Sequence, residues 1–166
     1  MLSGDEKGER RKALSRLVLT SNNLNTQFLL QQLKDTDLFF EQAVLEGKLG
    51  NHERGLQLLV EKAQDCAQAE KYCEDMAAGV SKEKAKLLTL LLRQYLQPSD
   101  PSLQDTLTIR AVELINSRAD ELESRAVVDL LPDQWNIAVI LPALRRISRS
   151  LVHDQRMTKV TKHLRR

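Results

Sequence analysis

Cys66 and Cys73 are the only two cysteines among the 166 residues, and they stand seven apart in the stretch DCAQAEKYCED, 65–75. A thiol pair can close a disulfide, hold a metal or supply a nucleophile, so this stretch is the first place to look for chemistry. On a helix, seven residues make two turns, which puts both thiols on one face. Two turns also hold the α-carbons about 10 Å apart, beyond the ~7 Å that a disulfide tolerates. A structural zinc site needs four ligands, commonly in close pairs such as C-x₂-C. The nearest histidine in the sequence is His52, and no such pair is present. The stripe through the cysteines reads Cys66, Ala69, Cys73, Ala77, while Glu70 and Glu74 fall off it. Free cysteine packs as a small hydrophobe. The expectation is the inside of a helix.

The remaining candidates are sparse. His52, His153 and His163 are scattered. His52 falls at a helix start, where an exposed ring is expected; the other two lie on a basic segment. Phosphate-binding glycine loops, the H-E-x-x-H pair and the nucleophile elbow are all missing. We therefore single out no catalytic, cofactor-binding or metal-ligating residue, and expect a protein that is not an enzyme.

Helices must position whatever function there is. Apolar residues recur every three or four positions, and no stretch alternates as a strand would. All six glycines lie at or before Gly79 and all four prolines at or after Pro98. The pattern predicts helices over about Glu6–Thr20 and Thr26–Leu33. Asp35 or Asp37 is expected to cap the next, which Gly50 ends. Asn51 is expected to cap a helix carrying Leu56, Leu58, Leu59 and Val60, and Asp65 the cysteine helix, which Gly79 closes. KAKLLTLLLRQYLQ, from Lys84 to Gln97, is apolar nearly all round and should lie between neighbours. A helix follows Pro101, a short one (SRAVVDLL) stops at Pro132, and a last one runs from about Asp133 to His163, kinked or split at Pro142. This is an all-α chain of about eight or nine helices. Pairs taking ~35–45 residues suggest stacked helical hairpins. We read one helical segment, 1–166, with N-terminal helices over 1–34, central pairs over 35–97 and C-terminal helices over 101–166.

Charge is uneven. The net formal charge is +2, yet residues 143–166 hold eight Lys or Arg against one Asp. That end carries an apolar stripe at helical spacing: Leu144, Ile147, Leu151, Met157, Val160 and Leu164. With Arg156 and Lys159 it forms the candidate partner-binding surface. A basic amphipathic helix can pack on its own domain, dock on an acidic partner or lie on anionic lipid. Phosphate contact needs clustered cations, which are present, but the segment has no aromatic residue on which bases could stack. Nucleic acid is not the expected partner. The first residues lack the apolar core of a secretion signal and the cysteines are few, which together fit the reducing cytosol.

Several stretches together resemble a known family. LFFEQAVLEGKLGNHERGLQLLVEKAQDCAQAEKYC holds Gly47-Lys48, then His52-Glu53-Arg54-Gly55-Leu56, then Ala69-Glu70-Lys71-Tyr72-Cys73. LLTLLLRQYLQP and AVELINSRADELESRAVVDLLPDQW follow in order. The chain is thereby similar to the vacuolar sorting and TGF-β receptor-associated protein family, from about Asp35 onward and more weakly before it. Trp135 after the Leu-Pro turn favours the receptor-associated branch. The resemblance implies an α-solenoid fragment with clathrin-heavy-chain-like repeats. It also implies membership in the CORVET or HOPS tethers, and docking on their shared core subunit through that subunit's helical C-terminal region. A peripheral place on endosomal or vacuolar membranes follows, with TGF-β receptor signalling proteins as further implied partners. Gly55 stands where the family more usually has alanine. The family's β-propeller and cysteine-rich tail have no counterpart here, so a truncated or short form is expected.

Overall fold

The computed structural model of the chain describes residues 4–21, 25–132, 135, 141, 142, 145 and 149. Every regular element among them is helical, and none is a strand. The order is α1 (Gly4–Thr20), α2 (Thr26–Leu33), α3 (Phe39–Lys48), α4 (His52–Gln57), a π-helical turn (Leu58–Lys62), α5 (Cys66–Ala77) and α6 (Ser81–Leu96). A 3₁₀ turn (Pro101–Leu103), α7 (Gln104–Arg118) and α8 (Ser124–Leu130) complete it. These eight described α-helices agree with the all-α reading. The chain divides into two compact units between Val80 and Ser81. Of the described helices, none is long and apolar enough to cross a membrane.

In the first unit α3 is the hub. It packs against α1, α2, α4, the π turn and α5. Every residue from Phe40 to Gly47 is buried, including Glu41, Gln42 and Glu46. A buried polar side chain without a partner costs about 1–3 kcal/mol, so each of the three needs one. Gln42 Nε2 donates to the Leu33 carbonyl at 2.7 Å and to the Thr36 carbonyl at 3.1 Å. Glu46 Oε2 accepts from Asn51 Nδ2 at 3.0 Å, and its Oε1 lies 3.6 Å from Arg54 Nε. Ser15 Oγ donates to Glu41 Oε1.

These partnerships overturn two expected caps. Neither Asp35 nor Asp37 caps α3; its N-cap is Leu38, which makes no side-chain cap bond. Thr36 closes that turn instead, donating to the Leu33 carbonyl at 2.6 Å and accepting from the Leu38 amide at 3.4 Å. Asn51 does stand at the N-cap of α4, but its amide is committed to Glu46 and does not cap the helix. Other signals hold. Asp65 accepts from the Gln68 amide at 3.0 Å, and Gly50 takes the left-handed conformation with φ 85°. The helix after Asn51 is shorter than expected. It passes at Leu58 into the wider turn, where the Ala63 amide donates to the Leu58 carbonyl at 3.0 Å. This i→i+5 geometry leads to Gln64 at φ 51°.

The second unit is built on α6, which packs against α7 and α8. Leu87, Leu88, Leu91, Leu92, Tyr95 and Leu96 are buried, as an element with neighbours on more than one side requires. Ala111, Leu114 and Ile115 of α7 and Val127 of α8 complete its core. Lys84 Nζ lies 2.6 Å from a Glu121 carboxylate oxygen that Arg118 also approaches at 3.3 Å. The hydrogen bond from Lys84 holds the Glu121 carboxyl below its usual range. α8 ends at Leu130, and beyond it the Trp135 amide donates to the Pro132 carbonyl at 3.1 Å.

Candidate functional site

Three of the sequence motifs meet at one point of the first unit. The Tyr72 ring, on α5, is fully buried against α3 and α4. Its hydroxyl shares a 2.9 Å hydrogen bond with His52 Nδ1, and the two rings meet edge-on with centroids 6.2 Å apart. His52 is half-buried and bonded, which corrects the expectation of an exposed ring.

Two glycines make room for this pair. A Cβ on Gly47 would collide with Tyr72 Oη, lie 2.9 Å from Met76 Cε and 3.2 Å from His52 Nδ1. A Cβ on Gly55 would stand 2.8 Å from the Ala43 carbonyl oxygen and 3.2 Å from Tyr72 Oη. The Ala43 oxygen belongs to the α3 backbone and cannot swing aside. Gly55 is therefore what permits the close approach of α3 and α4.

Burial pushes the Tyr72 phenol well above its ordinary value of 10.0, with Cys73 and the Glu46 carboxylate adding to the effect. The phenol stays protonated and works as a hydrogen-bonding strut. Cys73 is fully buried beside Ala69 and Ala77, as the stripe predicts, whereas Cys66, the first residue of α5, is half-buried. Neither is in a disulfide. Among the described residues, no group of His, Cys, Asp and Glu is placed to hold a metal ion.

Beside this junction α1, α3 and α5 line a half-open cavity of about 510 Å³. Arg11, Lys12 and Arg16 line it from α1 and Lys71 from α5, with Leu19 and Phe40 as apolar wall. All four cations are exposed. Glu41 also lines the cavity, yet the residue is only 1% exposed. Its Oε1 accepts from Ser15, while its buried Oε2 has no hydrogen-bond partner. Sequence reading missed this site because its residues come from three helices far apart in the chain. The one available signal is the i, i+4 spacing of Lys12 and Arg16, which is common on solvated helix faces.

The candidate partner-binding residues Leu144, Ile147, Leu151, Arg156, Met157, Lys159, Val160 and Leu164 lie outside the described residues, as do His153 and His163. Pro142 itself is helical.

Two substitutions test the junction. Gly55→Ala gains up to about 1 kcal/mol of helix propensity. Forcing a methyl against a fixed carbonyl costs about 1–3 kcal/mol, so net destabilisation is expected in urea unfolding. Tyr72→Phe is read from the pH dependence. A phenol whose folded pKa lies above its unfolded value gives stability that is full below pH 10.0 and fades as pH rises beyond it. The wild-type chain should lose stability above that pH more steeply than Tyr72→Phe, and equal slopes would contradict the buried, protonated phenol.

Comparison with known proteins places this geometry. The chain is 35% identical to human (Homo sapiens) transforming growth factor-beta receptor-associated protein 1 over 95% of its own length, covering 18% of that protein. It is 24% identical to vacuolar sorting protein 3 of Arabidopsis thaliana over 94% of its length, covering 15% of that protein. Against the Vam6/Vps39-like protein of Mus musculus the identity is 25% over 97%, covering 19% of the relative. The chain thus spans less than a fifth of the receptor-associated relative's length. No protein-family model and no solved structure matches it. Over nearly all of its own length, the chain is similar to one segment of the TGF-β receptor-associated and Vps3/Vps39 proteins.

Proposed function

We propose that this chain is a non-enzymatic interaction segment of a subunit that tethers endosomal or vacuolar membranes before fusion. The observation that carries this reading is its similarity, over 95% of its length, to a receptor-associated protein, extending to a vacuolar sorting protein and a Vam6/Vps39-like protein. Helical units of this kind offer surface rather than a reactive centre, and such surfaces serve protein recognition. The partner is the core subunit shared by CORVET and HOPS, engaged through its helical C-terminal region. The docking surface is the basic stripe over 144–164, with Leu151 and Val160 supplying apolar contact and Arg156 and Lys159 the complementary charge. The protein would then sit on the cytoplasmic face of endosomes or vacuoles as a peripheral member of the complex.

A second reading rests on the charge of residues 143–166, which hold eight Lys or Arg against one Asp. Such a segment could bind an anionic membrane or nucleic acid directly. Salt separates the two, because contact between exposed charges is screened as the Debye length shrinks to a few Å near 1 M. A third reading, as a receptor-associated signalling adaptor, takes its support from the name of the human relative.

Titration calorimetry against the core subunit's helical region is the test. Binding at micromolar strength should persist at ~0.5 M salt, where screening is strong. Leu151→Asp and Val160→Asp should abolish it, while Arg165→Ala leaves it nearly unchanged. Binding that ignores both Asp substitutions in a folded chain would discard this docking surface. Salt-labile binding to anionic vesicles instead would favour the second reading.

A further inference from the structure

We infer that the cavity between α1, α3 and α5 is a binding site for a small phosphorylated polyol, whether a free sugar phosphate or the headgroup of a lipid. This goes beyond docking in a tether and does not depend on it.

Size comes first. At about 510 Å³ the cavity falls within the roughly 300–1,000 Å³ of small-ligand pockets. It has the mixture such sites show, with apolar wall from Leu19 and Phe40 and a few converging polar groups.

Charge comes next. Arg11, Lys12, Arg16 and Lys71 converge from two helices on one opening. Their present partners leave donors to spare. Arg11 reaches the Asp37 carbonyl at 3.2 Å, Lys12 pairs with Glu9 at 3.1 Å, and both members of that pair are about three-quarters exposed. Lys71 lies over the Phe40 ring, 5.7 Å from its centroid. Arg16 has no side-chain partner among the described residues. An exposed ion pair is worth little, so Lys12 is free to turn to a better anion. Guanidinium groups match phosphate oxygens in pairs, and a phosphate with two or more negative oxygens suits a cluster better than a single carboxylate does.

Glu41 then sets what the rest of the ligand must be. Its Oε2 is buried, lacks a partner and belongs to a residue lining the same cavity. A buried carboxylate oxygen demands a hydrogen-bond donor. Inorganic phosphate keeps one or two O–H groups at neutral pH, but on one small ion whose other oxygens the cations hold, so it offers the carboxylate few donors. An ammonium group would supply one, but four cations around the opening repel it. A hydroxyl supplies the donor without the charge. One molecule carrying both a phosphate and neighbouring hydroxyls meets the rim and the floor together.

The test is calorimetric titration of this chain with glucose 6-phosphate and myo-inositol 1-phosphate, beside glucose and inorganic phosphate. Sedimentation with vesicles bearing a phosphorylated or an unphosphorylated inositol headgroup distinguishes a lipid source from a free one. Saturable binding of the phosphorylated polyols is expected, with glucose, which lacks the phosphate contacts, and inorganic phosphate, which lacks the ring hydroxyls, each at least about tenfold weaker. Arg16→Glu and Lys71→Glu change exposed side chains, spare the core and should each weaken binding by about tenfold or more. Glu41→Gln should narrow the preference for polyol phosphate over inorganic phosphate. No saturable binding to any probe would overturn the inference and leave the buried Glu41 oxygen without a ligand donor. Equal affinity for inorganic phosphate, or binding untouched by Arg16→Glu and Lys71→Glu, would overturn it as well.

Discussion

A helix buried on every side cannot leave polar side chains to water, and α3 carries three of them. Glu41, Gln42 and Glu46 are each at most 5% exposed. Their hydrogen bonds must come from other elements, and so they fix where those elements lie. Gln42 ties the end of α2 and the following turn to α3 through two carbonyls. Glu46 draws in the turn before α4 through Asn51 and the helix itself through Arg54. Glu41 holds α1 through Ser15. Apolar burial supplies most of the stability in such a unit, at about 25 cal/mol per Å². The polar bonds supply direction, because an apolar face alone would tolerate several placements of its neighbours.

On the far side of α3 the same closeness is enforced by omission. Gly47 and Gly55 have no side chain where Tyr72 and His52 need the space. The three stretches around Gly47, around His52 to Leu56 and around Tyr72 therefore converge on packing about one phenol. That is consistent with relatives named for receptor association and vacuolar sorting.

Helical periodicity carried the fold class, the limits of α2 and the burial of α6, because these depend on local spacing. Gly50 and Asp65 were legible for the same reason: left-handed turns and N-caps are set by one or two residues. The centrality of α3 was not legible. Its sequence, FFEQAVLEGK, mixes apolar and polar residues and reads as an ordinary amphipathic helix, whereas KAKLLTLLLRQYLQ looks more buried. What buries Glu41 and Glu46 is the arrival of Ser15 from 26 residues away and of Asn51 across a turn. The failed caps at Asp35 and Asn51 have the same origin, since a tertiary demand on Thr36, Gln42 and Asn51 overrides the local rule. The cavity was hidden for a related reason: Arg16, Glu41 and Lys71 share no sequence neighbourhood.

Hydrogen exchange along α3 measures its standing as the hub most directly. The amides from Val44 to Gly47, donors within a helix packed by five other elements, are expected to exchange only when the first unit unfolds as a whole. Their opening free energy should then fall with urea at the slope found for equilibrium unfolding of that unit. Exchange through small, urea-independent openings, at free energies well below that of α5, would contradict a structure organised around α3.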